Sequence, residues 1–278
     1  MPEISLPSGF EHMASQAQVT LARRARHRLR VRFCEIPGLY LPFARRKYPG
    51  PSPEVISSET QFVIDGYTRS ASTFAVYALQ LAQATPIRLA HHLHAPAQLI
   101  EAARKKIPAL MVIREPQGAI LSQLIREPDV ALRDAIVAYA RFYECLLPYR
   151  DRFVVADFEE VTKDFGAVTR RVNERFGTAF AEFEPSEPNV RRCFELIKLR
   201  STLSPVLLGF ESGTVTADEL RPEVEILACR QGPAPDAWIP SQDRERSKTA
   251  LREQWARPDL ARLRDRAQRV YEAFRGIG

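Results

Sequence analysis

Short apolar runs alternate with stretches of helical spacing through the middle of the chain. Each run is rich in β-branched or aromatic residues, which is typical of a buried strand, and each intervening stretch repeats its apolar positions with a helical period. The pattern predicts strands at 62–64, 86–93, 109–113 and 153–156, and helices beginning near 73 and at 97–106, 117–126, 130–147 and 161–176. Such alternation implies right-handed crossovers and a mostly parallel sheet covered by helices on both faces, an α/β fold.

The regions on either side of this pattern are less regular. Prolines recur at 36–53 and are expected to break any long helix there, and 178–190 is interpreted as a linker. A basic amphipathic helix is predicted at 191–203, a mixed and proline-punctuated segment at 204–240, and two charged helices that dock on the core at 241–256 and 258–275. We expect one domain over 1–278, with an N-terminal arm (1–55), a core (56–180) and a C-terminal part (181–278).

Composition limits the class of protein. The 278 residues are 45% hydrophobic, which suffices for one sizeable core. Four cysteines lack any C-x-x-C pairing, so neither a disulfide scaffold nor a zinc motif is indicated. The chain has no long uncharged apolar run and no apolar core of a secretory signal near its start. We therefore expect a soluble, cytoplasmic protein with reduced thiols.

The chain is basic. Its net charge is +6 and its pI is about 9.3, which favours anionic ligands. Residues 21–33 hold six arginines and no acid. This arm suits a nucleic acid, an anionic lipid or an acidic partner, and a solvated arm that packs a few apolar residues on the body is the simpler alternative.

Residues 60–74 have the pattern of a phosphate-binding strand, loop and helix. The strand ends at Gly66, where the backbone can turn sharply, and Ser70, Ser72 and Thr73 follow where a helix should begin. A helix start leaves N–H groups unpaired and carries a partial positive charge, and Arg69 adds a full one. The Walker pattern G-x-x-x-x-G-K-S/T is absent, which argues against an ordinary ATPase or GTPase.

A second informative stretch is I-R-E-P-Q-G-A-I-L-S-Q-L at 113–124. Arg114 follows a predicted strand, Pro116 suits the first turn of a helix, and Ser122 lies two turns further on. An arginine and a hydroxyl that face each other would clamp a phosphate monoester. The alternative is that Arg114 pairs with Glu115 or another surface acid and that Ser122 is an ordinary helix residue.

Three of the five histidines lie within four positions, at the end of the second predicted strand. Strand alternation would put His92 and His94 on one face and His91 on the other. A neutral imidazole at this edge could act as a general base. Structural histidines and a metal cluster are the alternatives, although the sequence indicates no third metal ligand.

Together, these stretches resemble the sulfotransferases that use 3′-phosphoadenosine 5′-phosphosulfate (PAPS). Y-T-R-S-A-S-T-F at 67–74 resembles the family's P-K-S/T-G-T-S/T loop, R-E-P-Q-G-A-I-L-S at 114–122 resembles its R-D/N-P-x-x-x-x-x-S motif, and V-A-D-F-E-E-V-T-K-D at 155–164 resembles its "Y-E-D-L" region. The resemblance covers about 60–180. It implies a P-loop NTPase-like three-layer sandwich with a central parallel sheet flanked by helices.

The resemblance also implies roles for individual residues. Arg114 and Ser122 would bind the 3′-phosphate, Arg69 would replace the loop lysine as a catalytic cation, and His92 or His94 would match the catalytic base of a T-H-L-P context. The 5′-phosphosulfate would lie on the loop residues, which are Thr68, Arg69, Ser70, Ala71, Ser72 and Thr73. The family's C-terminal G-x-x-G-x-x-K element is missing, and Arg244 and Lys248 could supply the corresponding cations.

The implied activity is transfer of a sulfuryl group from PAPS to a hydroxyl or amine of a small-molecule, lipid or glycan acceptor, without a metal and with PAP as product. Segment 204–240 would suit an acceptor-binding lid, or it packs irregularly. No nucleic-acid partner is expected, and the basic arm could touch an anionic membrane. A non-catalytic nucleotide-binding or adaptor protein is the alternative. A nucleoside or sugar kinase is disfavoured because the Walker lysine and a clear acidic metal site are missing.

Overall fold

The computed structural model describes residues 24–50, 52–230 and 242–275. Its centre is a sheet of four strands in the order β2-β1-β3-β4, and every pairing is parallel. The strands are β1 (Phe62–Gly66), β2 (Leu89–His91), β3 (Ala109–Ile113) and β4 (Val154–Asp157). Because all four run the same way, their carboxyl ends meet at one edge, where ligands bind in sheets of this type.

Alternate residues of each strand face opposite sides of the sheet and enter two separate cores. Val63 and Met111 belong to one apolar cluster, and Ile64 and Val112 belong to the other. Every residue of β1 and β3 is buried. Burial on both faces explains why these strands appear in the sequence as continuous apolar runs rather than as alternating ones.

Helices cover both faces. The side that includes Val63 is covered by a helix over 24–33 (α1), α2 (Pro37–Lys47), α4 (Pro96–Lys105), α5 (Pro116–Arg126), α6 (Leu132–Glu144), α12 (Gln242–Trp255) and α13 (Ala261–Arg275). The other side is covered by α3 (Ser72–Ala82), α7 (Phe158–Lys163), α8 (Phe165–Phe176), α9 (Glu187–Leu199), α10 (Pro205–Ser212) and α11 (Ala217–Arg230). The predicted α/β fold, with a parallel sheet between two helical layers, is confirmed.

Several predicted boundaries were wrong, mostly at prolines. Residues 36–53 contain the helix α2 despite their prolines, because Pro37 occupies its first turn and only Pro42 lies inside. Helix α9 begins at Glu187 rather than 191, since Pro188 lies in its first turn instead of a linker. Within the segment predicted to be mixed at 204–240, most of the described residues belong to α10 and α11, and residues 231–240 lie outside the described residues. None of the described helices combines the length and the apolar character that a membrane crossing requires.

Candidate active site

The loop after β1 is shaped by close backbone contact. Gly66 pairs with Val112 of β3, and a Cβ atom at Gly66 would collide with the Val112 carbonyl oxygen. Arg69 and Ala71 adopt left-handed backbone angles, with φ of 68° and 73°, which turn the chain into α3 at Ser72. The first N–H groups of α3 therefore point into the space above the sheet, where they favour an anion.

A cavity of about 570 Å³ lies above this loop. It brings together ten of the residues singled out from the sequence: Thr68, Arg69, Ala71, Ser72, Thr73, His92, His94, Arg114, Ser122 and Lys248. Ser70 is not among the lining residues, because its side chain is buried beneath the loop beside Tyr143. Arg244 belongs to α12, but its side chain lies outside the described residues.

The two predicted phosphate motifs meet inside this cavity. The Nε of Arg69 donates a 3.0 Å hydrogen bond to the hydroxyl of Ser122, 53 residues away in sequence. Arg114 donates from Nη1 to the carbonyl oxygen of Arg69 over 3.2 Å. Ser122 therefore contacts the loop arginine, whereas the sequence suggested that it would face Arg114. The result places two guanidinium groups and one hydroxyl at one end of the cavity.

Arg114 is held by residues that the sequence did not single out. Its guanidinium carbon lies 4.0 Å from the centre of the Phe158 ring, at the start of α7. Its carbonyl oxygen accepts a 2.5 Å hydrogen bond from the hydroxyl of Tyr139. Glu115 accepts the Gly118 N–H and caps α5. The Phe158 ring limits the rotamers of Arg114 and orients its guanidinium group toward the cavity.

His92 and His94 both line the cavity, although the predicted reason was wrong. Strand β2 ends at His91, and the next residues leave the strand with φ of 57° at His92 and 49° at His94. Alternation along a strand therefore does not set their directions. The Nε2 of His92 lies 2.9 Å from the Thr73 hydroxyl, and its Nδ1 lies 2.5 Å from the Nδ1 of His91.

His94 is held in one tautomer. Its Nδ1 lies 2.9 Å from the carbonyl oxygen of Gly66, which can only accept a hydrogen bond, so Nδ1 carries the proton and Nε2 a lone pair. The His94 backbone N–H donates to the buried carboxyl of Asp65 over 3.1 Å. Burial lowers the pKa of His94 to about 4 and that of His92 well below its ordinary value. Both rings are therefore neutral at pH 7.

A buried carboxylate supports this wall of the cavity from behind. Glu211, on α10, is fully buried and accepts hydrogen bonds from the Tyr77 hydroxyl at 2.5 Å and from the Arg200 Nε at 2.7 Å. One of its oxygens also lies 3.8 Å from the Nδ1 of His92. Arg200 lines the cavity and donates to the Ser52 hydroxyl over 2.7 Å. Sequence reasoning missed both charged residues because nothing local marks a contact between segments so far apart.

The structure supplies a third potential metal ligand that the sequence did not indicate. Glu211 joins His91 and His92, and the potential ligand atoms of the three residues lie within 4.8 Å of one another. The two histidine Nδ1 atoms, however, are only 2.5 Å apart. Two nitrogens bound to one tetrahedral ion would lie roughly 3.3 Å apart for bonds of about 2.0 Å. In this arrangement the two Nδ1 atoms share a hydrogen bond and do not bind one ion together.

A second cavity of about 110 Å³ adjoins the first, and Thr68, His94 and Glu127 line both. Its walls include Val31 and Arg30 of α1. Part of the basic arm therefore forms the helix α1, which lines the second cavity. Of the predicted lid at 204–240, residues 231–240 lie outside the described residues. None of residues 204–230 lines the main cavity, and α10 packs on α3 and β2 instead.

No family model matches this chain, and no curated protein does. Among solved structures, the chain is similar to a mouse sulfotransferase, SULT7A1, in complex with PAP. The two share 13% identity, with a TM-score of 0.33, over 76% of this chain and 90% of that chain. So distant a likeness carries no weight for function, which must rest on the residues of the cavity.

Proposed function

We propose that this protein is a sulfotransferase that moves a sulfuryl group from PAPS to a hydroxyl or amine of a small-molecule, lipid or glycan acceptor. The observation that supports it most is the 3.0 Å hydrogen bond between Arg69 and Ser122. It joins a loop suited to one phosphate and a helix suited to another in a single cavity. A donor with phosphates at both its 3′ and 5′ positions needs two such anion sites.

Two adjoining groups of residues in the cavity would bind the two ends of the donor. Arg114 and Ser122 suit the 3′-phosphate, because a planar guanidinium and a hydroxyl can donate together to phosphate oxygens. The loop and the start of α3 suit the 5′-phosphosulfate. The Ser72 hydroxyl at that helix start is buried and has no hydrogen-bond partner in the described part of the chain. A phosphosulfate oxygen of PAPS would be that partner by accepting a hydrogen bond from it.

The reaction requires charge neutralisation and one proton acceptor. The acceptor oxygen or nitrogen forms a bond to sulfur, the bond from sulfur to the bridging oxygen breaks, and the electron pair leaves with PAP. Arg69 and the N–H groups of α3 would stabilise the charge that grows on the bridging oxygen. The acceptor proton would go to a neutral base. Arg69, Arg114 and Lys248 supply positive charge at this cavity, so we propose that no metal is required.

His94 is the better candidate for that base. Its Nδ1 is occupied by the Gly66 carbonyl, and its Nε2 has no hydrogen-bond partner among the described residues. Both ring nitrogens of His92 instead contact protein atoms, namely the Thr73 hydroxyl and His91. We therefore assign the proton transfer to His94 and the positioning of Thr73 and the loop to His92.

The acceptor would approach through the second cavity, because His94 lines both. Its walls combine apolar groups, such as Val31 and Phe142, with the charged residues Arg30 and Glu127. An acceptor with a compact apolar part and a polar substituent fits these walls. Its nucleophile would lie beside His94 while its body lies under α1.

Transfer of labelled sulfuryl from PAPS tests the proposal directly. Wild type is assayed against a set of alcohols, phenols and amines with a chelator present, beside Arg69→Ala and the control Arg170→Ala, which removes an exposed partner of Glu182. We expect transfer by wild type and by the control, and a loss of roughly 100-fold or more in Arg69→Ala. Full transfer by Arg69→Ala to an identified acceptor would refute the assignment. Binding of PAPS without transfer to any acceptor would favour a non-catalytic nucleotide-binding protein.

A further inference from the structure

The corner between α1 and α2 carries an unusual concentration of exposed apolar side chains. Of the six large hydrophobic residues that are exposed in the described part of the chain, four lie here: Leu29, Ile36, Leu39 and Phe43, with 75%, 48%, 57% and 48% of their surface accessible. Single exposed apolar residues are ordinary, but a group of them marks a contact surface. We call these four residues the α1–α2 patch.

Helical spacing explains how α2 buries one apolar face while a second apolar face stays exposed to solvent. Tyr40, Leu41 and Ala44 form its buried face. Ile36, Leu39 and Phe43 follow at i, i+3 and i+7, which defines a second stripe rotated away from that face. The Phe33 ring of α1 lies 5.4 Å from the Phe43 ring, so the two helices present the patch as one packed unit.

The patch is surrounded by positive charge. Glu35 is the only acid between residues 24 and 47, and it is paired with Arg141. The residues Arg26, Arg32, Arg46 and Lys47 are exposed and take part in none of the ion pairs described for residues 24–50, 52–230 and 242–275. By contrast, Arg24 and Arg28 are held by Asp134. Four cations with no ion pair among the described residues thus accompany four apolar side chains, and one of them, Lys47, lies over the rings of Phe43 and Tyr48.

We infer that the α1–α2 patch docks on the surface of an anionic lipid bilayer. Interfacial binding uses this combination, in which apolar side chains enter the boundary between headgroups and acyl chains while lysine and arginine bind the lipid phosphates. A nucleic acid would satisfy the cations but would leave Leu39 and Phe43 without an apolar partner. The bilayer satisfies both parts of the patch.

The inference is independent of the proposed sulfotransferase activity. Helix α1 lines the second cavity through His27, Arg30 and Val31. Leu29 lies two residues from His27 and two from Val31, which places it on the opposite side of the helix. Docking through the patch would therefore leave the cavity-lining side of α1 packed on the body of the protein.

Vesicle co-sedimentation of the full chain tests the docking. Vesicles of phosphatidylcholine alone are compared with vesicles that contain about 30% phosphatidylserine. One variant combines Leu39→Ser and Phe43→Ser, and another combines Arg32→Gln and Arg46→Gln. The matched control combines Ile226→Ser and Arg191→Gln, which removes one exposed apolar residue and one exposed cation on α11 and α9.

We expect wild type and the control to bind the anionic vesicles. Their binding to neutral vesicles should be at least tenfold weaker, because several lysine and arginine contacts with lipid phosphates are lost. Each patch variant should lose roughly tenfold in partitioning while its circular dichroism spectrum stays unchanged. Absence of binding to anionic vesicles, or equal binding by the patch variants, would overturn the inference. So would a wild-type dimer that the Leu39→Ser, Phe43→Ser variant disrupts, because a second copy would then cover the patch.

Discussion

The Nδ1 of His94 and the carbonyl oxygen of Gly66 lie 2.9 Å apart, which ties the candidate base directly to the loop that would hold the donor. Gly66 is the last residue of β1, and its geometry is set by contact with Val112 of β3. The base therefore takes its position from the centre of the sheet. Its distance to a phosphosulfate bound on that loop would then be set by the fold.

The pH dependence of transfer should reflect the lowered pKa of His94. A general base works while it is unprotonated, and burial lowers the pKa of His94 to about 4. We expect His94 to remain unprotonated as the pH falls from about 8 to about 6, and kcat/KM to decline steeply only as the pH approaches 4. Over the upper range the neighbouring carboxyl of Asp65 becomes protonated, because burial raises its pKa to about 7. An exposed histidine would instead lose activity below about 6.5. Initial rates over this range, with circular dichroism to verify folding, distinguish the two.

The buried carboxylate of Glu211 should contribute strongly to stability. Glu211→Ala leaves Arg200, only 11% exposed, without its carboxylate partner and leaves the Tyr77 hydroxyl without its acceptor. Loss of one partner of a buried pair costs about 3 to 5 kcal/mol. The control is Glu59→Ala, since Glu59 pairs with Arg88 while 69% exposed, and an exposed pair contributes at most about 1 kcal/mol. Urea unfolding measures both, and equal losses would contradict the role of Glu211.

Phe158 should affect donor binding through the orientation of Arg114. Its ring lies 4.0 Å from the guanidinium carbon, and such contacts contribute roughly 0.5 to 2 kcal/mol. We therefore expect Phe158→Ala to weaken PAP binding by about twofold to thirtyfold. Phe158→Trp keeps an aromatic ring at this position and should bind PAP more tightly than Phe158→Ala does. Calorimetric titration with PAP gives both values. If Phe158→Ala binds PAP as wild type does, the stacking does not orient Arg114.

The centre of the fold could be predicted because its signals are local. The runs at 62–64 and 109–113 lie within β1 and β3, which are buried on both faces and so contain almost only apolar residues. The second strand was predicted at 86–93 but spans Leu89–His91, because positive φ angles end it. Helix α10 was missed because 204–240 was interpreted as mixed and proline-punctuated, whereas Pro205 occupies the first turn of this helix.

The site likewise contains residues that could be predicted from local sequence and residues that could not. Arg69, Arg114 and the histidines could be found because each follows a predicted strand at the edge where parallel strands end. Phe158 also follows a predicted strand, at 153–156, but an aromatic side chain there does not by itself indicate a contact with Arg114. Arg200 follows no predicted strand, and its role depends on packing between elements that are distant in sequence. For the arginine-rich segment, the sequence favoured a solvated arm that packs a few apolar residues on the body, and α1 does pack Val31 and Phe33 on the core. Its contact with the second cavity was not predicted.

Binding of PAP, compared with ADP and 5′-AMP, tests the donor site most directly. Calorimetry is run with and without magnesium on wild type, on Arg114→Ala and on the control Arg104→Ala, which removes an exposed arginine on α4. We expect wild type and the control to prefer PAP strongly without magnesium. Arg114→Ala should lose roughly tenfold to a hundredfold, as expected for a hydrogen bond to a charged group. Tighter binding of ADP with magnesium, or PAP binding unchanged in Arg114→Ala, would contradict a 3′-phosphate site at Arg114 and Ser122.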